Sequence, residues 1–184
     1  MKRLCFGGSF NPVHHGHLIC ARAVAEARGF ERVVLIPSAL PPHKLQSGDV
    51  APAEHRVEMC RRAVAGVPLF EVSEVEQARG GPSYTIDTVR SFRQQGWTHI
   101  VWLIGADMVA SLPDWHQPQD LLREVEWVIM ARYGSAMDWQ KLPEAYRRLE
   151  GNVVEAPLID ISASGIRRRI ADGRSARFLT PDAV

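Results

Sequence analysis

The chain has 184 residues, of which 46% are hydrophobic, 23% charged and 8% aromatic, and its formal net charge is +1 with histidine neutral. This length and composition predict one globular domain over residues 1–184 and exclude the disordered and fibrous classes. The near-zero charge excludes a global field that would attract nucleic acid or a membrane surface, so local groups must bind any anion. No apolar run approaches the roughly 18 residues of a membrane span.

The cysteines and the first residues favour the cytoplasm. Cys5, Cys20 and Cys60 are widely spaced and form no CxxC motif. An odd count in apolar surroundings predicts buried free thiols in a reducing compartment rather than a disulfide scaffold. The apolar part of the opening MKRLCFGG is too short for a signal peptide.

Short apolar runs alternate with amphipathic segments along the chain. In chain order, the apolar runs predict strands at Arg3–Phe6, Arg32–Pro37, Leu69–Val75 (an edge strand), His99–Gly105, Glu126–Arg132 and, weakly, 152–157. The amphipathic segments predict helices at about His15–Arg28, Pro52–Ala65, Tyr84–Gln95, Gln119–Val125, Asp138–Leu149 and Ser162–Asp172. Gly29 is the expected C-cap of the first helix.

This alternation predicts an α/β fold: a Rossmann-like, doubly wound parallel sheet with helices on both faces. Ligands of such folds bind at the carboxyl ends of the strands. Three long segments, 38–52, 76–83 and 111–118, are predicted to be loops and are candidates to carry function.

The stretch GGSFNPVHHGH, residues 7–17, lies between the first strand and the first helix. Its two glycines can allow a tight turn and the close approach of a ligand. The helix N-terminus that follows suits phosphate, although the spacing matches neither G-x-G-x-x-G nor a Walker loop. His14 and His17 share one face of the opening turn and can donate to phosphate oxygens. Two alternatives stay open: a metal site that includes His15, and histidines that only cap or pack the helix.

The same stretch resembles the G-x-F-[DN]-P-x-H-x-G-H signature of the nucleotidylyltransferase superfamily, relatives of class I aminoacyl-tRNA synthetases. ISASGIRRRI, residues 161–170, resembles the I-S-S-T-x-x-R element of that superfamily. Ser162 there reads as a helix N-cap, and Arg167 projects from the first turns. The resemblance implies an enzyme that moves an adenylyl group from ATP to a substrate phosphate, without a covalent intermediate, with Mg²⁺ arriving on ATP.

The resemblance also implies which residues form the ATP site, completed by the region from about residue 160. The catalytic groups would be His14, His17 and Arg167. The further ATP-binding residues would be Gly7, Gly8, Ser9, Phe10, Gly16, Gly105, Asp107, Arg132, Ile161 and Ser162.

The acceptor is indicated by the order of PPHK, PSYT, IGADM, PDW and the strand-end Arg132, which resembles bacterial nicotinate-nucleotide adenylyltransferases from Gly7 to about Pro181. These enzymes make deamido-NAD⁺ in pyridine nucleotide biosynthesis. The resemblance implies that Lys44 meets the acceptor phosphate and Trp115 stacks on the pyridine ring. Backbone N–H groups near Thr85–Ile86 and Trp115–His116 would hold the nicotinate carboxylate.

Each assignment has an alternative from the residues alone. Trp115 could pack its loop, Lys44 could be merely solvated, and Asp107 could be a helix N-cap instead of a ribose ligand; Tyr84 and Thr85 cannot be separated. The alternative functions are a phosphopantetheine adenylyltransferase and a nucleotide-binding sensor without catalysis. The expected partners are ATP and nicotinate mononucleotide; a homo-oligomer and selectivity for the acid over the amide stay open.

Overall fold

The computed structural model describes residues 2–42, 50–132 and 137–184. Within these residues six strands form one sheet, in the order β3-β2-β1-β4-β5-β6, and every pair is parallel. The strands are β1 Arg3–Gly8, β2 Arg32–Pro37, β3 Phe70–Val72, β4 Val101–Gly105, β5 Glu126–Arg132 and β6 Val153–Ala156. The predicted Rossmann-like α/β fold is confirmed, and its strand order reverses between β1 and β4.

The helices of the described residues connect the strands. They are α1 His15–Arg28, α2 Ala53–Val64, α3 Val75–Arg79, α4 Thr85–Gln94, α5 Ala106–Val109, α6 Pro118–Glu124, α7 Glu144–Arg147 and α8 Ala163–Ala171. Helix α1 ends as predicted at Gly29, which has φ 65° and donates its N–H to Ala25 O and Glu26 O.

Two apolar cores cover the two faces of the sheet. Successive residues of β1 alternate between them: Cys5 belongs to the core with α4 and α6, while Leu4 and Phe6 belong to the core with α1 and α2. Because both faces of the sheet are covered, the central strands β1 and β4 carry consecutive buried apolar residues, 4–6 and 101–104, which made them recognisable in the sequence.

Three predictions of secondary structure were wrong. The helix predicted at Asp138–Leu149 is instead a 3₁₀ turn at Trp139–Lys141, then α7, then a 3₁₀ turn at Arg148–Asn152. Pro143, which lacks an N–H donor, separates the first two pieces. The predicted loop 76–83 begins inside α3, and the predicted loop 111–118 contains a 3₁₀ turn at Leu112–Asp114.

The edge strand and the cysteines were predicted correctly, although the strand is shorter than expected. Strand β3 lies at the edge of the sheet and spans three residues. Cys5, Cys20 and Cys60 are all buried and form no disulfide. Across the described ranges, no helix combines the length and the apolar character needed to cross a bilayer.

Candidate active site

The turn after β1 is formed by Phe10 rather than by the two glycines. Gly7 and Gly8 are the last residues of β1, and neither has a positive φ, whereas Phe10 has φ 44°. A Cβ on Gly7 would lie 2.7 Å from the Trp102 ring, and one on Gly8 would lie 3.2 Å from the Phe10 ring. The expectation that these glycines make the turn was therefore wrong: their positions leave room for two neighbouring aromatic rings.

His14 and His17 form a stacked pair at the start of α1. His14 is the N-cap residue, and its ring lies 3.7 Å from that of His17, with 26° between the planes. The backbone N–H of His14 donates to His17 Nδ1 at 3.2 Å. Because Nδ1 accepts this bond, the proton of a neutral His17 is assigned to Nε2. The Phe10 ring meets His17 edge-on at 5.1 Å, so the turn and the histidine are in direct contact.

His14 is held neutral by its surroundings. Its side chain is 6% exposed, and burial, with a smaller effect of His15, lowers its pKa from 6.5 to about 4. Its Nδ1 is buried and has no hydrogen-bond partner among the described residues. A Cβ on Gly16 would lie 3.0 Å from this Nδ1, so the glycine makes room for the ring.

The two signatures of the sequence meet in the structure. Ser162 is the N-cap of α8, as predicted, and its Oγ accepts from Gly165 N–H at 3.1 Å. From the next turn, Arg167 Nη1 donates to Asn11 O at 2.8 Å, across 156 positions of sequence. The arginine of the second signature therefore lies against the turn that precedes the histidine pair. Ile161, directly before the cap, is half-buried.

The carboxyl end of β4 brings Gly105 and Asp107 next to this turn, because β4 pairs with β1. The N-cap of α5 is Gly105, so the alternative that Asp107 is an N-cap was wrong. Asp107 is exposed in the first turn of α5, and a Cβ on Gly105 would collide with its Oδ1. Arg132 is the last residue of β5, but its side chain lies outside the described part of the structure, as does Lys44.

A second pair of loops meets near the start of α4. Thr85 and Ile86 are its first two residues, so their backbone N–H groups have no intrahelical acceptor. The ring of Tyr84 stacks on that of His116 at 4.3 Å. This contact joins the start of α4 to the loop that carries Trp115, as the predicted carboxylate site requires.

Trp115 packs its own loop and leaves part of its ring exposed. Its Nε1 donates to Ser111 Oγ at 3.2 Å, and its ring meets Trp127 edge-on at 6.2 Å. The side chain therefore packs its own loop against the core. It is only half-buried, however, so part of the indole is accessible to a ligand.

Sequence reasoning missed Arg56, although a signal for it existed. Arg56 lies on α2 four residues before Cys60 and is 1% exposed. An arginine on the apolar stripe of an amphipathic helix is unusual, because a buried charge must find polar partners. Its partners are Ala51 O at 2.8 Å, Ser9 O at 2.9 Å and Ala39 O at 3.0 Å. Burial lowers its pKa, and electrostatic interactions with Cys60, Glu76 and Glu54 oppose that shift.

A buried carboxyl, Glu76 of α3, was also missed, because the sequence was read there as a loop. It is 4% exposed, and burial raises its pKa. Thr88 Oγ1 donates to Glu76 Oε1 at 2.6 Å, which fastens α3 to α4.

The described ranges contain no group of three or more His, Cys, Asp or Glu arranged to hold a metal ion, so His14, His15 and His17 do not form such a group there.

Comparisons with known proteins agree with this geometry. A family model described as cytidylyltransferase-like matches residues 5–169. Among curated proteins, a probable nicotinate-nucleotide adenylyltransferase of Roseiflexus sp. (strain RS-1) is 41% identical over 180 residues, which cover 97% of this chain and 90% of that protein. The protein of the same description from Marinobacter nauticus is 41% identical over 196 residues, with the same two coverages.

Among solved structures, the chain resembles Plasmodium falciparum nicotinic acid mononucleotide adenylyltransferase. In its complex with NaAD, the TM-score is 0.72 at 15% identity, over 95% of this chain and 87% of that one. In its complex with APC, the TM-score is 0.71 at 14% identity with the same coverage. At such identities the likeness concerns the fold, and the resemblance inferred from the sequence motifs is confirmed by the curated relatives.

Proposed function

Since the chain belongs to the cytidylyltransferase-like family and, within it, to the nicotinate-nucleotide adenylyltransferases, we propose that it transfers the adenylyl group of ATP to nicotinate mononucleotide. The products are deamido-NAD⁺ and pyrophosphate, a step of NAD biosynthesis. The observation that supports this most strongly is the hydrogen bond from Arg167 to Asn11 O, which brings the two halves of the nucleotidyl-transfer signature together.

The phosphates of ATP bind at the start of α1. The helix N-terminus offers N–H groups there, and His17 Nε2–H points its proton at a phosphate oxygen. The phosphate of the acceptor attacks the α-phosphorus in line, and pyrophosphate leaves with the electron pair of the broken bond. His17 and the fork of Arg167 stabilise the charge that develops on the phosphate oxygens. His14, neutral and packed against His17, fixes the orientation of the pair and meets the same phosphates through a ring nitrogen.

The remaining ATP contacts are proposed at the ends of β1, β4 and β5 and at the start of α8. The region from about residue 160 would complete this site, because it contributes Ser162, the N-cap of α8. The proposed contacts are Gly7, Gly8, Ser9, Phe10, Gly16, Gly105, Asp107, Arg132, Ile161 and Ser162. Asp107, exposed and ionisable, would accept hydrogen bonds from the ribose hydroxyls.

The nicotinate ring is proposed to bind between α4 and the Trp115 loop. The open part of the Trp115 indole offers a flat face for stacking. The N–H groups of Thr85 and Ile86, which have no intrahelical acceptor, and those near Trp115–His116 hold the carboxylate. Lys44 would supply charge for the acceptor phosphate.

Mg²⁺ is the proposed metal, and it arrives bound to ATP. Mg²⁺ usually keeps several waters and is held largely by the phosphate oxygens of a bound nucleotide, so it needs no dedicated protein cage. When bound, it neutralises phosphate charge. The three buried cysteines, which form no disulfide, support a cytoplasmic location.

The test is pyrophosphate release from ATP and Mg²⁺ with nicotinate mononucleotide, nicotinamide mononucleotide and phosphopantetheine offered separately. Release with the nicotinate form, identified as deamido-NAD⁺ by mass, supports the proposal. Release only with phosphopantetheine would keep nucleotidyl transfer and reject the acceptor. ATP binding without release in any reaction would favour a sensor.

A further inference from the structure

The guanidinium of Arg56 connects three separate segments of the chain. It donates to Ser9 O, in the segment after β1, to Ala39 O, in the segment after β2, and to Ala51 O, just before α2. Its Nε, Nη1 and Nη2 each serve a different carbonyl. A planar fork with several fixed donors can do this, and the single ammonium of a lysine cannot reproduce it.

Packing alone does not explain an arginine at this position. Its neighbours one turn and two turns along α2 are Cys60 and Val64, both buried in the apolar core. An apolar side chain in place of Arg56 would avoid the cost of burying a charge. All three acceptors are neutral backbone carbonyls. The hydrogen bonds that offset the cost of burying the guanidinium therefore also hold three backbone segments in place.

These segments lead directly to the ATP side of the site. Asn11 Oδ1 accepts from Ala51 N–H at 3.2 Å, so Ala51 binds both Arg56 and the turn. On its other side, the turn is bound by Arg167 through Asn11 O. Between these contacts lies Phe10, with its positive φ and its edge-on contact to His17. The turn is therefore held by one arginine from α2 and another from α8.

We propose that Arg56 is a positioning residue for adenylyl transfer, which holds the Ser9–Asn11 turn so that Phe10 and His17 keep the geometry that the transition state needs. This inference rests on the proposed function. Arg56 itself is buried and would touch neither substrate. Its effect should therefore appear mainly in kcat, since a displacement of about 1 Å in a catalytic group can cost about 10²-fold in rate.

The experiment compares Arg56→Lys with two control variants on the same helix. Arg62→Ala removes an exposed arginine that pairs with Glu58, and Cys60→Ala opens a small cavity in the core. We expect Arg56→Lys to lower kcat about 10- to 100-fold per folded molecule, with each KM changed by less than about threefold. Arg62→Ala should keep the kcat of the parent, and Cys60→Ala should lower Tm and keep kcat.

A double variant separates positioning from general destabilisation. If Arg56 and Arg167 hold the same turn, Arg56→Lys should lower kcat less in an Arg167→Ala background than in the parent. Equal factors in both backgrounds, or an equal loss of kcat in Cys60→Ala, would overturn the inference. If Arg56→Lys does not fold, Asn11→Ala removes the parallel bond to Ala51 and should lower kcat while KM for ATP changes little; an unchanged kcat would overturn it.

The two proposals fail in different ways. A parent protein that forms no deamido-NAD⁺ from ATP and nicotinate mononucleotide would reject the proposed function. A fully active parent together with an Arg56→Lys variant of equal kcat would reject only the role of Arg56.

Discussion

At the scale of single residues, the two stacked imidazoles differ in ways that divide the chemistry between them. His14 is buried, with a pKa near 4, while His17 is half-buried and receives the His14 N–H at its Nδ1. The bond at Nδ1 assigns the His17 proton to Nε2, where a phosphate oxygen can accept it. We therefore expect His17 to contribute more to the transition state than to the binding of ATP.

His17→Ala should lower kcat by about 10²-fold or more, because one preorganised donor to developing charge is lost. The Kd of ATP, measured by calorimetry, should change by less than about threefold. His15→Ala is the control, since it removes an adjacent imidazole to which no contact with phosphate is assigned. Small and equal losses of turnover and of ATP affinity in His17→Ala would contradict this role.

Burial of His14 makes stability depend on pH. Its pKa is about 4 in the folded state and near 6.5 when unfolded, so the unfolded chain binds more protons between these values. The free energy of unfolding should therefore fall as pH drops from about 6.5 towards 4, by at most about 1.4 kcal/mol per pH unit from this group. Urea unfolding of the parent and of His14→Asn between pH 7.5 and 5 measures it, and parallel curves would refute the prediction.

Substitutions at Trp115 can distinguish stacking of its ring on the acceptor from packing of its own loop. Trp115→Ala should raise the KM for nicotinate mononucleotide about tenfold or more and leave the KM for ATP within about twofold, because only the acceptor stacks on the indole. Trp115→Phe keeps a ring on the core side and should lie between the parent and the alanine variant. Equal damage to both KM values would mean that the residue only supports its loop.

At the scale of elements, the N-terminal part of α8 contributes two residues to the candidate site, the N-cap Ser162 and Arg167. Ser162 Oγ accepts from Gly165 N–H, and Arg167 lies one turn further on. Ser162→Ala should lower the free energy of unfolding by about 1 kcal/mol through loss of the cap. Ser162→Asn keeps a capping side chain and should retain stability, so a raised KM for ATP in this variant would report the hydroxyl's own contact with phosphate. Ser164→Ala, next to the cap, controls for removal of a hydroxyl; an uncapped variant as stable as the parent would contradict the prediction.

Elements with strong local signals could be predicted from the sequence. Helix α1 has an apolar stripe and a glycine C-cap, and the structure places it at His15–Arg28, as approximately predicted. The segment 138–152 also has a helical pattern of apolar residues, but Pro143 and short-range contacts break it into pieces. The periodicity of apolar residues indicates which of them face the core. It does not indicate whether they lie on one continuous helix or on several short pieces.

The candidate site was predictable where chemistry follows motif spacing, and not where it depends on contacts distant in sequence. His14, His17 and Arg167 stand at recognisable spacings, so they could be named. Arg56 serves three carbonyls from segments that the fold brings together, and no local spacing encodes that. The turn itself was attributed to Gly7 and Gly8, because a glycine pair next to a helix does not reveal that the positive φ belongs to Phe10.

At the scale of the whole molecule, the strand order determines where substrates can meet. The sheet runs β3-β2-β1 on one side and β4-β5-β6 on the other, so connections leave β1 and β4 in opposite directions. The crevice between their carboxyl ends receives the histidine turn from β1 and Asp107 from beyond β4. The proposed acceptor loops follow α3 and α5, so both halves of the sheet contribute to the reaction that joins two nucleotides.

The hydrogen bond between Arg167 and Asn11 O also determines when, during synthesis of the chain, the site can be completed. Strand β1 and the histidine turn precede their arginine partner in the chain, and Arg167 is translated 156 positions after Asn11. A nascent chain on the ribosome can pair β1 with β2, and β2 with β3, before this cation has been synthesised. We therefore expect adenylyl transfer to begin only after α8 has left the ribosomal tunnel.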